Sequence, residues 1–399
     1  MAAEKHPANK PMRVMFLVTS MPVGGAETLL VNLVRRLDRR RVEPELCCLK
    51  ECGPLGEQLT GQVPVHAGLI RHKFDLAVLW RLRRLLRRRN IDAVVTVGAG
   101  DKMFWGRLAA RLARVPVVCS ALHSTGWPDG VGRLNRMLTS ITDAFIAVAR
   151  PHGEYLIEHE GFPANKVVVI PNGVDTNRFT PGGDDFHLRE QLGIGPAAPV
   201  AVIVAALRPE KNHKMFLEVA RRVRRDLCHT HFLVVGDGPE RAQLVRLATE
   251  FDIAPYVHFL GTRSDIPNLL NLADVNVLVS HNEANPVSIL EAMSTGTPTV
   301  ATDVGSVGES VLDGETGFLV PAGDIDQATS RVVQLLTDPI LRAEQGNTAR
   351  QLVCERWSLD VMVGGYEDLL TGLLERKTGR RIAPVGPAPE AESVEPAMV

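Results

Sequence analysis

The chain has 399 residues, 45% of them hydrophobic and 23% charged, with a net charge of -1. That length suits two domains or three, each able to bury its own core, and the near-neutral balance excludes nucleic-acid binding driven by bulk charge. The six cysteines include no CxxC pair and no histidine at zinc spacing, which argues against a metal module and for free thiols in a reducing compartment.

Taken in chain order, MAAEKHPANKPMRVMFLVTS opens on a polar tail (residues 1–11, expected to be disordered). Its apolar run, Val14 to Val18, is too short for a signal peptide and reads as a first strand. No stretch approaches the roughly 20 apolar residues of a membrane span, so the expected location is cytoplasmic. Short β-branched runs then alternate with amphipathic segments. RVMFLVTS, VEPELCCL, AVVTVG, VPVVCSAL and DAFIAVA read as strands of a first half. PVAVIVAAL, HTHFLVVG, YVHFLG, ADVNVLVS and TPTVATD read as strands of a second. Helices are expected over Ala26–Leu37, Leu76–Arg88, Lys102–Ala113, Lys211–Arg225 and Glu240–Thr249. Near-continuous apolar strands alternating with helices predict an α/β protein of two Rossmann-like domains, each with a parallel sheet covered on both faces.

The expected organisation is a first domain over residues 12–178, a Gly-, Pro- and charge-rich linker over 179–198, and a second domain over 199–356. A terminal helix over 357–376 is expected to pack back on the first domain. The Pro-, Ala- and Glu-rich tail, 377–399, is expected to be disordered. WRLRRLLRRR, Trp80–Arg89, is basic and amphipathic; it suits either a solvated helix flank or an anionic membrane surface.

HNEANPVSILEAMSTGTPTVATD, His281–Asp303, holds two glutamates, Glu283 and Glu291. Asn285 suits an N-cap and Pro286 the first helical position, so the helix that follows offers the N–H groups of Val287, Ser288 and Ile289 to an anion at its positive end. Glu291 falls on the same helix face as Val287 and Ser288, one turn deeper. A phosphate at the helix start would set an attached ribose about one turn away, within reach of that carboxylate. Glu283, ahead of the helix, would meet what the far phosphate carries. Spacing of this kind acts as a ruler for sugar, diphosphate and ribose, although two solvated glutamates beside a helix would show it too. Gly24 and Gly25, in MPVGGAETLL, follow the first strand and open a helix, where backbone can approach an anion closely.

SHNEANPVSILEAMSTGTPTVATDVGSVGE resembles the glutamate-x7-glutamate signature of the family 4 retaining glycosyltransferases. PNGVD (Pro171–Asp175), LRPEKNH (Leu207–His213), VGDGPE (Val235–Glu240), LGTRSDI (Leu260–Ile266), ADV (Ala273–Val275) and DGETGFLVPAGD (Asp313–Asp324) fall in that family's order, and GGAET and His123 match its N-terminal half. The resemblance spans residues 13–375. It implies the GT-B fold, with two Rossmann-like domains facing an interdomain cleft. It also implies metal-independent retaining transfer of a sugar from a nucleoside-diphosphate sugar (UDP first, GDP or ADP as alternatives) to a hydroxyl on a glycan or lipid-linked acceptor. No other cofactor is implied.

By the same resemblance Glu283, His123 and Lys211 would be catalytic. Gly24, Gly25, Arg208, Lys211, Arg263, Asn285, Val287, Ser288 and Glu291 would hold the donor. Asp101, Lys102 and Trp127, on loops after strands of the first half, are acceptor candidates, while Asp143 and Asp175 read as structural caps. One departure stands out: the family's GRL-like triplet is Ala205-Ala206-Leu207 here, so Ala206 replaces an arginine and Arg208 is the nearest substitute. That departure keeps open a catalytically degenerate sugar-nucleotide-binding protein, and the fold keeps open a nucleotide-sugar epimerase. A nicotinamide-dependent dehydrogenase is disfavoured, because no GxGxxG follows a strand with an acid about 20 residues on.

Overall fold

The structure, a computed structural model, describes residues 10–72, 75–98, 100–123, 136–183 and 185–382. Seven strands form the first sheet: β1 (Met12–Val18), β2 (Val42–Cys48), β3 (Val65–His66), β4 (Ala93–Val97), β5 (Val117–Ala121), β6 (Ala144–Ala147) and β7 (Val167–Val169). Their order is β3-β2-β1-β4-β5-β6-β7, and every neighbouring pair is parallel. Six strands form the second sheet: β8 (Val200–Val204), β9 (His231–Val235), β10 (Val257–Gly261), β11 (Val275–Leu278), β12 (Thr299–Thr302) and β13 (Gly317–Val320). Its order is β10-β9-β8-β11-β12-β13, again all parallel.

Strands buried on both faces need apolar side chains throughout, which is why β6 (AFIA) and β8 (VAVIV) read as unbroken runs. In each sheet the strand order reverses beside the first strand of its series, between β1 and β4 and between β8 and β11. Such a switch point opens a crevice at the carboxyl ends of the strands. The loops that leave β1, β8 and β11 at that edge carry Gly24-Gly25, Arg208-Lys211 and Glu283 respectively.

Three strands, β3, β7 and β13, have no counterpart among the sequence expectations. All are short, and β13 opens on Gly317, where a Cβ would stand 2.1 Å from the Thr299 carbonyl oxygen. Residues 179–198, expected as a linker, hold the helix Asp185–Leu192, and Phe179, Leu188 and Ile194 are buried in the core under the second sheet. The final helix, Leu359–Thr378, buries Leu359, Met362, Val363, Tyr366, Leu370 and Leu374 against the first sheet. Ion pairs Arg41–Glu367 (2.8 Å), Lys377–Asp143 (2.8 Å) and Arg380–Asp92 (3.0 Å) join this last segment to the first sheet. The chain therefore crosses between the two halves twice.

Candidate active site

β11 ends at Leu278, and the chain turns through Val279–Pro286 into the helix Val287–Thr295. The N-cap is Pro286, at φ -74° and ψ 114°, with no side chain capping the helix. This corrects the sequence expectation by one residue: Asn285 is not the cap, because the extended ψ of Pro286 delays helical backbone until Val287. The Ile289 N–H is already taken by the Pro286 carbonyl at 3.1 Å, so the donors left at the helix start are those of Val287 and Ser288. Asn285 is buried; its carbonyl accepts from Asn172 Nδ2 at 3.0 Å, and its Oδ1 meets no donor among the described residues.

Glu283 is 8% exposed and faces the loop after β8. Its Oε1 accepts from Lys211 Nζ at 2.5 Å and from Ser280 Oγ at 2.7 Å. Backbone bonds brace both loops. His281 N–H donates to the Glu210 carbonyl at 2.9 Å, and Ser306 N–H donates to the Glu283 carbonyl at 3.0 Å. Beneath that carbonyl lies Gly305, at φ +55°, where a Cβ would come within 1.9 Å of the Glu283 oxygen. Only glycine tolerates both the left-handed backbone and the contact.

Glu291, on the same helix one turn in, is half-buried. Burial pushes its carboxyl up to about 7, and the Arg178 guanidinium pulls the other way. The two glutamates therefore sit in unlike surroundings: Glu283 is matched by a lysine and a hydroxyl, while Glu291 is held largely by burial.

Arg208 is 63% exposed along its side chain and lies 4.0 Å from Glu210. Ala206 sits half-buried beside it, and the loop is shaped by Gly236, whose Cβ would fall 2.1 Å from the Ala205 carbonyl oxygen. His213, at the start of the next helix, is fully buried, and burial followed by the nearby Lys211 charge drives its ring down to about 4. A neutral imidazole there leaves Lys211 as the cation of the loop facing Glu283. Arg263 is turned onto Asp265, with bonds of 2.8 and 2.5 Å, so its charge is matched at the loop after β10.

On the first sheet, Gly24 is the N-cap of the helix Gly25–Arg36. A Cβ at Gly25 would meet no protein atom within 4 Å, and one at Gly24 would meet chiefly the flexible Glu27 carboxylate. His123 follows β5 and is half-buried, lining an apolar pocket with Ala26, Leu29, Val97 and Tyr366 on the sheet edge that also bears Gly24 and Gly25. Asp101 and Lys102 open the helix Asp101–Ala113. Trp127 lies outside the described residues, as do the side chains of Asp101 and Lys102. Asp143 accepts from the Val118 N–H, and Asp175 from the N–H groups of Asn177 and Arg178. Among the described residues, no three His, Cys, Asp or Glu side chains are grouped to hold a metal ion.

The model of the family described as glycosyltransferase family 4 matches residues 23–178, and that of glycosyl transferases group 1 matches residues 184–352. A mycobacterial relative from Mycolicibacterium smegmatis, a GDP-mannose-dependent α-(1-6)-phosphatidylinositol monomannoside mannosyltransferase, is 30% identical over 77% of this chain and 85% of its own. The chain belongs to glycosyltransferase family 4. It is a glycosyltransferase that uses a nucleotide-sugar donor. An Escherichia coli relative of the transferase, UDP-Gal:α-D-GlcNAc-diphosphoundecaprenol α-1,3-galactosyltransferase, is 29% identical over 84% of this chain and 91% of its own. The fold is GT-B. The crystal structure of Anabaena HepE in complex with UDP superposes with a TM-score of 0.80 at 23% identity, covering 90% of this chain and 100% of that one.

Two features of the transferase's site escaped the sequence reading. Arg178, whose charge opposes the effect of burial on Glu291, carries no local signal beyond its place three residues past the capping Asp175. The Lys211–Glu283 pair joins residues 72 apart in sequence, and no local pattern signals it.

Proposed function

We propose that the enzyme transfers a hexosyl group, with retention of anomeric configuration and without a metal ion, from a nucleoside-diphosphate sugar to a hydroxyl of a glycan or lipid-linked acceptor. The observation that carries this reading is the flanking of one open helix start, at Val287 and Ser288, by Glu283 on one side and Glu291 on the other. The diphosphate is held by those two N–H groups and neutralised by Lys211 and Arg208. Gly24 and Gly25 let the first domain's backbone approach it from across the cleft; no contact within the protein requires glycine at position 25. Glu291 accepts the ribose hydroxyls, Glu283 and His123 position the sugar, and Arg263 belongs to the loop that meets the base.

In the transfer step the bond from the sugar's anomeric carbon to the phosphate oxygen breaks, and a bond to the acceptor oxygen forms on the same face. The acceptor's proton passes to the departing phosphate oxygen, so the nucleoside diphosphate leaves with it. Lys211 bridges Glu283 and the diphosphate, and its charge grows in value as the leaving group develops negative charge. The named substrates of the relatives, UDP-galactose and GDP-mannose with lipid-linked acceptors, support this donor and acceptor class. A thermal-shift panel of UDP, GDP, ADP and their sugars tests the donor, since a ligand at about 100 times its dissociation constant stabilises the fold by roughly 2.7 kcal/mol. An NMR time course with the best donor is expected to show the retained anomer. An inverted product, or an epimerised donor without acceptor, overturns the reading.

The acceptor class sets the location: we propose that the enzyme is cytoplasmic and docks peripherally on an anionic membrane face. No helix among the described residues is long and apolar enough to cross a membrane. The helix Val78–Arg88 buries Val78, Leu82 and Leu86 and turns Trp80 (61% exposed), Arg84, Arg87 and Arg88 outward. Arg83 lies over the Trp80 ring and donates to the Leu112 carbonyl, joining this face to exposed Arg111, Leu112 and Arg114. None of the five exposed arginines meets a carboxylate among the described residues. Each contributes about 1 kcal/mol at an anionic surface. Co-sedimentation with vesicles containing phosphatidylglycerol is expected to fall more than tenfold in R84E/R87E and to be lost on neutral vesicles. Equal sedimentation of both proteins on both vesicles rules the surface out.

A further inference from the structure

One contact that involves neither crossover joins the two domains. The helix Arg150–Glu158 follows β6 at the carboxyl edge of the first sheet. Its N-cap, Ala149, is extended at φ -162° and ψ 161° and has no side-chain oxygen to offer, while Pro151 has no N–H. The first turn is capped instead from the other domain: the Arg150 N–H donates to both carboxylate oxygens of Glu309, at 3.1 and 3.2 Å. The Arg150 side chain adds little, being 82% exposed with Nε 4.0 Å from the carboxylate. Glu309 stands in the short helix Val307–Ser310, which follows β12 at the carboxyl edge of the second sheet. Val307 and Val311 are buried on either side of it and root that turn in the second core. The Glu309 N–H donates to the Ser306 carbonyl at 3.2 Å, and the Ser306 N–H donates to the Glu283 carbonyl at 3.0 Å. A short chain of bonds therefore runs from a helix start of the first domain to the backbone of Glu283.

We infer that Glu309 is a positioning residue for transfer: by capping a helix of the first domain it fastens the domains together at the loop that carries Glu283, so that closing the cleft and seating the sugar-binding carboxylate are one event. This rests on the reading of Glu283 as a residue that positions the sugar. The crossovers cannot do the same work. There the Val174 N–H donates to the Trp357 carbonyl at 2.8 Å and the Leu359 N–H to the Val174 carbonyl at 2.9 Å. Arg36 clips the two segments, reaching Asp175 at 2.7 Å and Asp360 at 3.1 Å. Such a hinge joins the domains but leaves the angle between them free, and a contact outside the hinge is needed to fix it. A carboxylate on an orphan helix N–H gains from the bond and from the helix dipole. Glu309 is also 26% exposed along its side chain, so water can replace the contact when the domains part. That balance suits a fastening that must release in every catalytic cycle.

The test changes the first domain and reads the second. R150P removes the donating N–H at a helical position that favours proline, behind an Ala149 already extended as proline requires. R150A removes the side chain and keeps the N–H. Hydrogen exchange of the full chain, followed by mass spectrometry, reports peptides spanning residues 279–286 and 303–310. Exchange there is expected to quicken about fivefold in R150P and in E309A, the effect of losing one partly exposed charge-assisted bond, and no further in the double variant. R150A is expected to exchange as wild type. With the donor that the thermal-shift panel selects, kcat falls by a similar factor in R150P and E309A, while UDP and GDP affinities stay within about twofold. Second-domain exchange in R150P that is wild-type, or equalled by R150A, overturns the inference. So do losses that add in the double variant, or a wild-type kcat in both single variants. None of these variants alters the Glu283 carboxylate, so the sugar-positioning reading stands or falls separately, on transfer by E283Q.

Discussion

Glu283→Gln is expected to lower kcat/KM for transfer by roughly 10–150-fold while leaving the affinity for the free nucleoside diphosphate unchanged or slightly higher. Glu283 keeps its shape in this variant but loses its charge. Two charge-assisted bonds to sugar hydroxyls, each worth about 1.5–3 kcal/mol, become neutral ones of about half that value, and each 1.36 kcal/mol is tenfold in rate. Lys211, now held at 2.5 Å by the Glu283 carboxylate, is released toward the diphosphate, which explains why nucleotide affinity does not fall with transfer. Stability should change by only about 1 kcal/mol, because Lys211 is 23% exposed and can turn to water.

Gly305→Ala reaches the same group from below. At φ +55° an added Cβ would press within 1.9 Å of the Glu283 carbonyl, so the backbone must shift and transfer should fall without any change of charge in the site. Steady-state kinetics alongside nucleotide titration separates these outcomes. A parallel loss of nucleotide affinity in Glu283→Gln, or full activity in both variants, contradicts the assigned role.

Glu291→Gln is expected to weaken nucleotide binding by about 10–100-fold at pH 8 and, at that pH, to make the free enzyme more stable. Burial raises the folded-state carboxyl to about 7, against an unfolded value of about 4.3. The folded protein therefore binds the extra proton between those values, and stability falls as pH rises from about 4.3 through about 7. Above 7 the fold carries an ionised, half-buried carboxylate that costs about 1–2 kcal/mol once solvent screening is allowed for. Glutamine removes that cost. The gain should appear in urea melts at pH 8 and vanish near pH 4.5, where wild-type Glu291 is protonated as well. Equal stability of the two proteins at both pH values would mean that Glu291 is solvated in the free enzyme. A carboxylate kept at a cost to the fold is what a ligand-binding role predicts, since the donor's hydroxyls supply the missing partners.

Where the Glu283 carboxylate meets Lys211, the ion pair also bears on the Ala206 departure. With no arginine at position 206, the proposed diphosphate site would draw its positive charge from Lys211 and from Arg208, whose side chain is 63% exposed. A cation already matched to Glu283 before the donor arrives serves two anions once the donor is bound. The exposed Arg208 is free to move toward the phosphate, and the open N–H groups of Val287 and Ser288 need no movement at all. Under the proposed donor-binding roles, the site would keep the charge that family 4 chemistry calls on, distributed differently from the family's usual arrangement.

The sequence by itself determined the alternation of ten of the strands with helices, the parallel character of both sheets and the spacing that sets Glu283 ahead of a helix and Glu291 within it. Each of these rests on local periodicity or on the turn and cap chemistry of neighbouring residues, which a chain expresses without reference to distant parts. The short edge strands β3, β7 and β13 were not legible because two to four residues hold no period; they exist where a neighbouring strand supplies the bonds. Residues 179–198 read as a linker from their Gly, Pro and charge, yet Phe179, Leu188 and Ile194 are drawn into the second core, since burial against a completed sheet outweighs composition. Only the tertiary structure decided that Lys211 faces Glu283 and that Glu291 is half-buried while Glu283 is ion-paired. Electrostatic environment is set by groups far apart in the chain and brought together by packing, so a pattern of spacing can name a carboxylate but not the charge it carries.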